Sequence, residues 1–122
     1  MEELSPQMRH QVTQFQQAQQ QAQALVAQKQ QLELILRETE RAVEELDKLP
    51  EGSTVYKSVG GILVKADRGA VKKELTENKE TLDLRIKTIE RQEERVLGRL
   101  REMRDKIQEA LKAKQPTGGE AG

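Results

Sequence analysis

The sequence predicts a mainly α-helical protein, a long antiparallel two-helix coiled coil with one β-hairpin at the turn between its helices. Two long segments, residues 6–48 and 68–113, repeat apolar side chains every three or four positions. Between them, residues 54–66 are rich in β-branched side chains and contain Gly60-Gly61. Only 34% of the residues are hydrophobic and the aromatics are Phe15 and Tyr56, which favours a narrow apolar stripe over a compact core.

The first helix is predicted over residues 6–48. Ser5 is a suitable N-cap and Pro6 suits the first helical position, whereas Pro50 and Gly52 end the helix. Between Ala22 and Leu25 the apolar spacing shortens, which predicts a shift in heptad phase of the kind called a stammer. The stripe consists of Met8, Val12, Phe15, Ala22, Leu25, Leu32, Leu36, Val43 and Leu46.

The connecting segment is predicted to form a two-residue β-hairpin over residues 54–66, turning at Gly60-Gly61. Apolar groups are expected on both of its faces, and a hairpin of two strands is marginally stable in water. Its outer edges would also leave N–H and C=O groups unpaired. We therefore expect hairpins of several chains to pair in a shared sheet or inter-subunit β-barrel. The expected oligomerisation residues are Val55, Tyr56, Val59, Ile62, Leu63 and Val64.

The second helix is predicted over residues 68–113, with Asp67 as N-cap. Its stripe keeps a strict heptad spacing in which only Glu93 interrupts the apolar series. The composition changes at residues 115–122, for which we predict a disordered tail, and residues 1–122 are expected to form a single domain. The stripe consists of Leu82, Ile86, Ile89, Val96, Leu100, Met103, Ile107 and Ala110.

The residue inventory argues against an enzyme. The chain has no cysteine, and its single histidine, His10, has no ligand partner at helical spacing. Gly60-Gly61 lacks the phosphate-loop pattern, and the acidic clusters alternate with Lys and Arg on helix flanks that we expect to be solvated. We expect no catalytic residue, metal or cofactor. The Gln-rich run from Gln7 to Gln31 carries periodic apolar residues, which favours helix over prion-like behaviour.

Charge and hydropathy also bear on partners and location. The 21 basic residues balance 21 acidic residues, so neither nucleic acid nor a membrane surface is an expected partner. Neither a signal peptide nor a transmembrane run is evident in the sequence. A cytoplasmic location is therefore expected.

The apolar stripe continues to both chain ends, which an antiparallel hairpin would bring together far from the β-hairpin. These residues either close the coiled coil or are partly exposed as an apolar surface for other proteins. The sequence leaves both interpretations open. The candidate binding residues at this tip are Met8, Val12, Phe15, Met103, Ile107, Ala110 and Leu111.

Several sequence motifs along the chain resemble those of the β-type subunit of prefoldin, a cytosolic holdase chaperone. The resemblance covers nearly the whole chain, and the order of its motifs on helix, hairpin and helix makes it specific. A β-type subunit has one hairpin, and this chain has room for one. The motifs are QFQQAQQQAQ (14–23), QKQQLE (28–33), ETERAVEEL (38–46), VYKSVGGILVK (55–65) and KTIERQEERV (87–96).

The resemblance implies a hexamer of two α-type and four β-type subunits with paired hairpin barrels and projecting coiled coils. It further implies that the coiled-coil tips hold unfolded protein clients and pass them to a group II chaperonin without using ATP. Carried onto this sequence, assembly falls on residues 55–64, and client binding falls on the tip residues. The alternatives are a coiled-coil scaffold or filament subunit that binds no client, and a coiled-coil arm that binds nucleic acid.

Overall fold

The computed structural model describes residues 4–114, in the order helix, strand, strand, helix. Helix α1 spans Pro6–Lys48, strand β1 Val55–Val59, strand β2 Ile62–Ala66 and helix α2 Arg68–Lys114. The predicted arrangement of two long helices joined by one hairpin is confirmed. The predicted tail, residues 115–122, lies outside the described residues.

Both helices begin at the side-chain caps that the sequence predicts. The Met8 amide donates to Ser5 Oγ at 3.1 Å, and the Ala70 amide donates to Asp67 Oδ2 at 2.9 Å. Each bond satisfies an N–H group that has no acceptor within its helix. The caps therefore fix the residues at which the two helices start.

After Lys48 the chain leaves the helix through a tight turn. The Ser53 amide donates to the Pro50 carbonyl at 3.2 Å, and Gly52 has φ +82°. A positive φ at the third position of such a turn is unstrained for glycine, as a type II turn requires. This turn directs the chain from α1 into β1.

The buried side of α1 follows an unbroken heptad pattern, so the predicted phase shift between Ala22 and Leu25 is wrong. Ala18, absent from the predicted stripe, has only 3% of its surface exposed, and Lys29 and Thr39 hold further half-buried positions. A small side chain and the stems of polar ones can occupy a helix seam that apolar residues alone do not reveal. The heptad positions from residue 15 onward, all buried or half-buried, are 15, 18, 22, 25, 29, 32, 36, 39, 43 and 46.

The buried side of α2 matches its predicted stripe. Leu82, Ile86, Ile89 and Val96 are buried, and the four apolar positions that follow are half-buried. Glu93 is half-buried within the same series. Both helices therefore contribute one narrow stripe, as a two-helix coiled coil requires.

Two compact units divide the chain, and in each one α1 and α2 run antiparallel. Among the described residues, one unit comprises residues 4–27 with 90–114, and the other Gln28–Ile89. In the second unit Lys72 Nζ lies 2.7 Å from Asp47 Oδ1, and Lys79 Nζ lies 3.4 Å from Glu40 Oε2. Residue numbers on α2 therefore rise as those of their partners on α1 fall, which shows that the two helices are antiparallel. The expectation of a single domain stays a prediction.

In the first unit, grooves between the helices show the same direction. Leu25 of α1 lines one groove with Val96 of α2, and Gln14 lines another with Met103. Moving toward the start of α1 therefore means moving toward the end of α2. Within the described residues, neither helix offers a stretch apolar enough to span a membrane.

The hairpin turns at Gly60-Gly61, as predicted. Val59 pairs with Ile62, and the two glycines between them have φ +54° and +85°. Positive φ at both central residues is the requirement of a type I′ turn, whose twist matches that of antiparallel strands. The pairing continues through Lys57 with Val64 to Val55 with Ala66.

Gly98 gives a direct test of helix stability. A Cβ added at this position would meet no atom within 4 Å, so Gly98→Ala should raise the unfolding free energy by about 1 kcal/mol through helix propensity. Thermal unfolding followed by circular dichroism at a fixed protein concentration would measure the gain. Gly60→Ala is the matched control: it also meets open space but has φ +54°, so it should destabilise. A lower melting temperature for Gly98→Ala would contradict the prediction.

Candidate assembly face and apolar tip

One face of the hairpin is apolar along most of its length. Since cross-strand partners point to the same side of a sheet, the register places Val55, Val59, Ile62 and Val64 on one face with Lys57 and Ala66. Val55 and Ala66, at the end near the helices, are half-buried. Val59, Ile62 and Val64, near the turn, are exposed. The apolar character of this face thus extends beyond the part that the helices cover.

The opposite face carries the remaining apolar groups of the hairpin. Tyr56 pairs with Lys65, and Ser58 pairs with Leu63. Tyr56 and Leu63 have 60% and 71% of their surfaces exposed. Apolar groups therefore occur on both faces, as predicted.

The sheet within residues 4–114 consists of β1 and β2 only, so each strand has one paired edge and one open edge. Open edges next to exposed apolar side chains can pair with strands of another chain. Of the six predicted oligomerisation residues, Val55 is half-buried and the other five are exposed.

An ion pair holds the hairpin against α2. Lys57 Nζ lies 2.9 Å from Glu74 Oε1 and 2.7 Å from Oε2, and both side chains are partly exposed. An exposed pair of this kind adds at most about 1 kcal/mol. Its contribution is mainly to orient the hairpin on the end of the helices.

Where the hairpin meets the helices there is an apolar groove of about 340 Å³. Leu46 of α1, Leu49 just after it, Val55 and Tyr56 of β1, and Leu75 of α2 line it. Leu49 and Tyr56 are exposed there, whereas Leu46 is buried. This groove extends the exposed apolar surface of the hairpin onto the adjoining helices.

The predicted tip residues all lie in the unit that contains both helix ends, but they differ in exposure. Met8 is buried, with 3% of its surface exposed, whereas Leu111 has 41% exposed. Val12, Phe15, Met103, Ile107 and Ala110 are half-buried. Met8 thus serves to close the coiled coil, and Leu111 is the most accessible of the seven. Their role in client binding stays a prediction.

Two exposed apolar residues in this unit were missed from the sequence. Val26 and Leu97 have 40% and 46% of their surfaces exposed, and each directly follows a buried seam residue, Leu25 or Val96. The signal for them was the heptad itself, because the position after a seam residue lies on the flank of the coiled coil. They add apolar surface along that unit, away from the helix ends.

Among residues 4–114, no group of three or more His, Asp or Glu side chains is placed to hold a metal ion. His10 is exposed on α1.

Comparison with known proteins matches most of the chain to one protein family. The family model described as Prefoldin subunit matches residues 9–114. A protein named Prefoldin subunit beta from Methanothrix thermoacetophila is 47% identical over 117 residues, which cover 96% of this chain and 98% of that protein. A protein of the same name from Archaeoglobus fulgidus is 51% identical over 111 residues, covering 91% of this chain and 96% of the relative.

A solved structure agrees with these sequence matches. The crystal structure of the prefoldin beta subunit from Thermococcus strain KS-1 superposes with a TM-score of 0.83 and 38% sequence identity. The match covers 95% of this chain and all of that chain. It therefore includes both helices and the hairpin between them.

The exposed hairpin residues predict the effect of making this surface polar. Ile62→Ser with Leu63→Ser removes apolar groups from both faces, and we expect the assembly to fall to smaller species because that surface no longer drives association. Native mass spectrometry, with partner subunits present, would measure the change, and circular dichroism should show helix content retained. Lys65→Ser, an exposed polar change on β2, is the control. An assembly mass unaffected by the double substitution would contradict the prediction.

Proposed function

Because this chain belongs to the prefoldin family of chaperone subunits, we propose that it is a holdase subunit that captures non-native polypeptides without using ATP. Prefoldin beta subunits form hetero-oligomers with other prefoldin subunits. The observation that supports the proposal in this chain is that each of the two units has its own exposed apolar region. One is the hairpin around Ile62 and Leu63, and the other is the helix-end unit with Leu111. The first suits permanent assembly and the second suits transient binding.

The proposed assembly is a hexamer of two α-type and four β-type subunits, joined through hairpins that complete inter-subunit β-barrels. Closing a barrel pairs the open edges of β1 and β2 and removes one face of the hairpin from water, either that of Ile62 or that of Tyr56 and Leu63. Transfer of side chains of this size out of water contributes roughly 1.5–3 kcal/mol each when burial is complete. This surface is therefore the proposed source of assembly energy.

Client capture is proposed at the helix ends, by Val12, Phe15, Met103, Ile107, Ala110 and Leu111, with Met8 supporting them from within the seam. Five of these side chains are half-buried, so a single tip offers little apolar area and binds weakly. Several tips on one body raise the overall affinity through effective concentration while each contact stays reversible. Reversible contacts let a client leave without nucleotide hydrolysis.

Release is proposed to occur by transfer to a group II chaperonin in the cytoplasm. Because every tip contact is weak, a partner that competes for the same apolar segments of the client can displace the tips one at a time. In this scheme the chain has no enzymatic role and needs no cofactor. A client that is displaced equally well by buffer alone would contradict the transfer step.

Polar substitutions at the tip test the capture site. Leu111→Ser with Val12→Ser, and a second variant that adds Phe15→Ser and Ile107→Ser, should weaken suppression of client aggregation in that order, because apolar contact is lost. Light scattering of a denatured client would measure protection, and native mass spectrometry would verify the assembly. Since Phe15 and Ile107 are half-buried, circular dichroism must show that the helices are retained.

Leu34→Ser with Leu84→Ser provides the matched control. These residues are 51% and 66% exposed in the other unit, so the control removes exposed apolar surface away from the helix ends. It should protect clients as the unmodified protein does. Full protection by both tip variants would refute capture at the tip, and intact assembly without any protection in the unmodified chain would favour the scaffold alternative.

The subunit ratio has a separate test. Mixing this chain with an α-type prefoldin subunit should give one dominant species whose mass equals two α-type and four β-type chains. Native mass spectrometry with collisional dissociation would count the subunits. A stable assembly of another composition would contradict the proposed hexamer, and the Ile62→Ser, Leu63→Ser variant should fail to enter it.

A further inference from the structure

The unit that contains the helix ends has a polar groove along one flank of the α1–α2 pair. Near the ends, Gln14 of α1 lies across from Lys106 of α2, in a depression of about 170 Å³. Further along, Gln21 lies across from Arg95 and Arg99, in a depression of about 320 Å³. From Lys106 to Arg95 the helix rises about 16 Å, so the two depressions follow one another along the same flank.

The α1 wall of this groove carries no negative charge. Residues 4–27 contain no Asp or Glu, and Arg9 is their one Lys or Arg. Gln14 and Gln21 are exposed at the groove. Each amide can donate and accept hydrogen bonds, as a peptide main chain also does.

The α2 wall carries Arg95, Arg99 and Lys106. Glu102 lies three residues from Arg99 and four from Lys106, whereas Arg95 has no acidic neighbour one helical turn away. Arg95 and Arg99 are one helical turn apart, a spacing at which like charges repel and destabilise a helix. The residues three and four positions from Arg95 on either side are Arg91, Gln92, Gly98 and Arg99, and none is acidic.

Within residues 4–114, no ion pair relieves this repulsion. The ion pairs formed there do not involve Arg95, Arg99 or Lys106, and all three side chains are exposed. Arg95 and Arg99, facing an α1 wall without acids, therefore leave a local positive potential at the larger depression, although the chain as a whole is neutral.

We propose that this groove binds extended acidic segments of non-native polypeptides. Arg95 and Arg99 can each engage a carboxylate through two parallel N–H···O bonds, and Gln14 and Gln21 can bond to the client's main chain. The floor residues Leu25 and Val96 are buried, so the exposed lining of the larger depression is polar or charged. Selection here is therefore by charge. The inference rests on the proposed holdase function and adds a second mode of contact beside the apolar tip.

Polypeptide fits the groove better than nucleic acid does. Single-stranded nucleic acid is usually held by aromatic side chains on which bases stack, and the lining residues of both depressions include none. An extended peptide rises about 3.4 Å per residue, so about five residues span the distance from Lys106 to Arg95. A segment of that length with two or three carboxylates matches the spacing of the cations.

Fluorescence anisotropy of labelled peptides on the assembled protein tests the proposal. A peptide of alternating Ser and Glu should bind at least about tenfold more tightly than one of alternating Ser and Gln, and added salt should weaken its binding. Arg95→Gln with Arg99→Gln should abolish the preference. Arg37→Gln with Arg41→Gln removes the same charge from α1 in the other unit and should preserve it.

Several outcomes would overturn the proposal. The first is equal binding of the acidic and neutral peptides. The second is an unchanged preference for the acidic peptide in the Arg95→Gln, Arg99→Gln variant. The third is a loss of that preference in the Arg37→Gln, Arg41→Gln control. Tighter binding of oligothymidine than of the acidic peptide would assign the groove to nucleic acid. Concentration-dependent self-association that the Arg95→Gln, Arg99→Gln substitutions remove would assign it to a second copy of the assembly.

The peptide assay is independent of the proposed chaperone function, because it involves no aggregating client. If the tip variants protect clients fully while the acidic peptide still depends on Arg95 and Arg99, the proposed tip mechanism fails and the groove stands. If the tip variants lose protection while the peptides bind equally, the groove proposal fails and the tip mechanism stands.

Discussion

A single seam of side chains joins α1 to α2, and the other features depend on it. Within residues 4–114, the nine buried apolar residues, among them Met8, Ala18 and Val96, all belong to this seam. A seam one side chain wide stabilises two long helices while leaving their flanks and the connecting hairpin exposed to solvent. The hairpin therefore cannot obtain its burial from the helices, and the flanks remain accessible to other molecules. The surfaces proposed for assembly and for client binding are both exposed because the seam covers so little of the chain.

The same constraint explains why the two exposed apolar regions differ in kind. Around the hairpin, Tyr56, Ile62 and Leu63 are more than half exposed and lie beside open strand edges, so a partner gains both apolar burial and backbone hydrogen bonds. At the helix ends the candidate residues already contribute to the seam, and each presents only part of its surface. The first arrangement suits a lasting contact. The second suits a contact that must be released.

Much of this architecture could be predicted because it depends on local rules. Ser5 and Asp67 cap helices by side-chain chemistry, and Gly60-Gly61 specifies its turn through backbone conformation. The seam of α1 was harder, because Ala18 and Lys29 hold seam positions that a pattern of large apolar residues does not mark. Counting Val12 in place of the half-buried Gln11 produced the false phase shift. Residue type alone does not predict exposure: Met8 and Leu111 are both apolar, but Met8 lies in the seam, whereas Leu111 directly follows the seam residue Ala110 and lies on the flank.

Tyr56 is the chain's only tyrosine, and the chain has no tryptophan. Its phenol is 60% exposed on the hairpin, beside the groove where β1 meets the helices. The ultraviolet emission of the protein therefore originates from one ring at the face proposed for assembly, far in sequence from the residues proposed for clients. Access of a soluble quencher to that ring reports whether the hairpin is covered, without a label. The chain thus contains its own optical probe of subunit association.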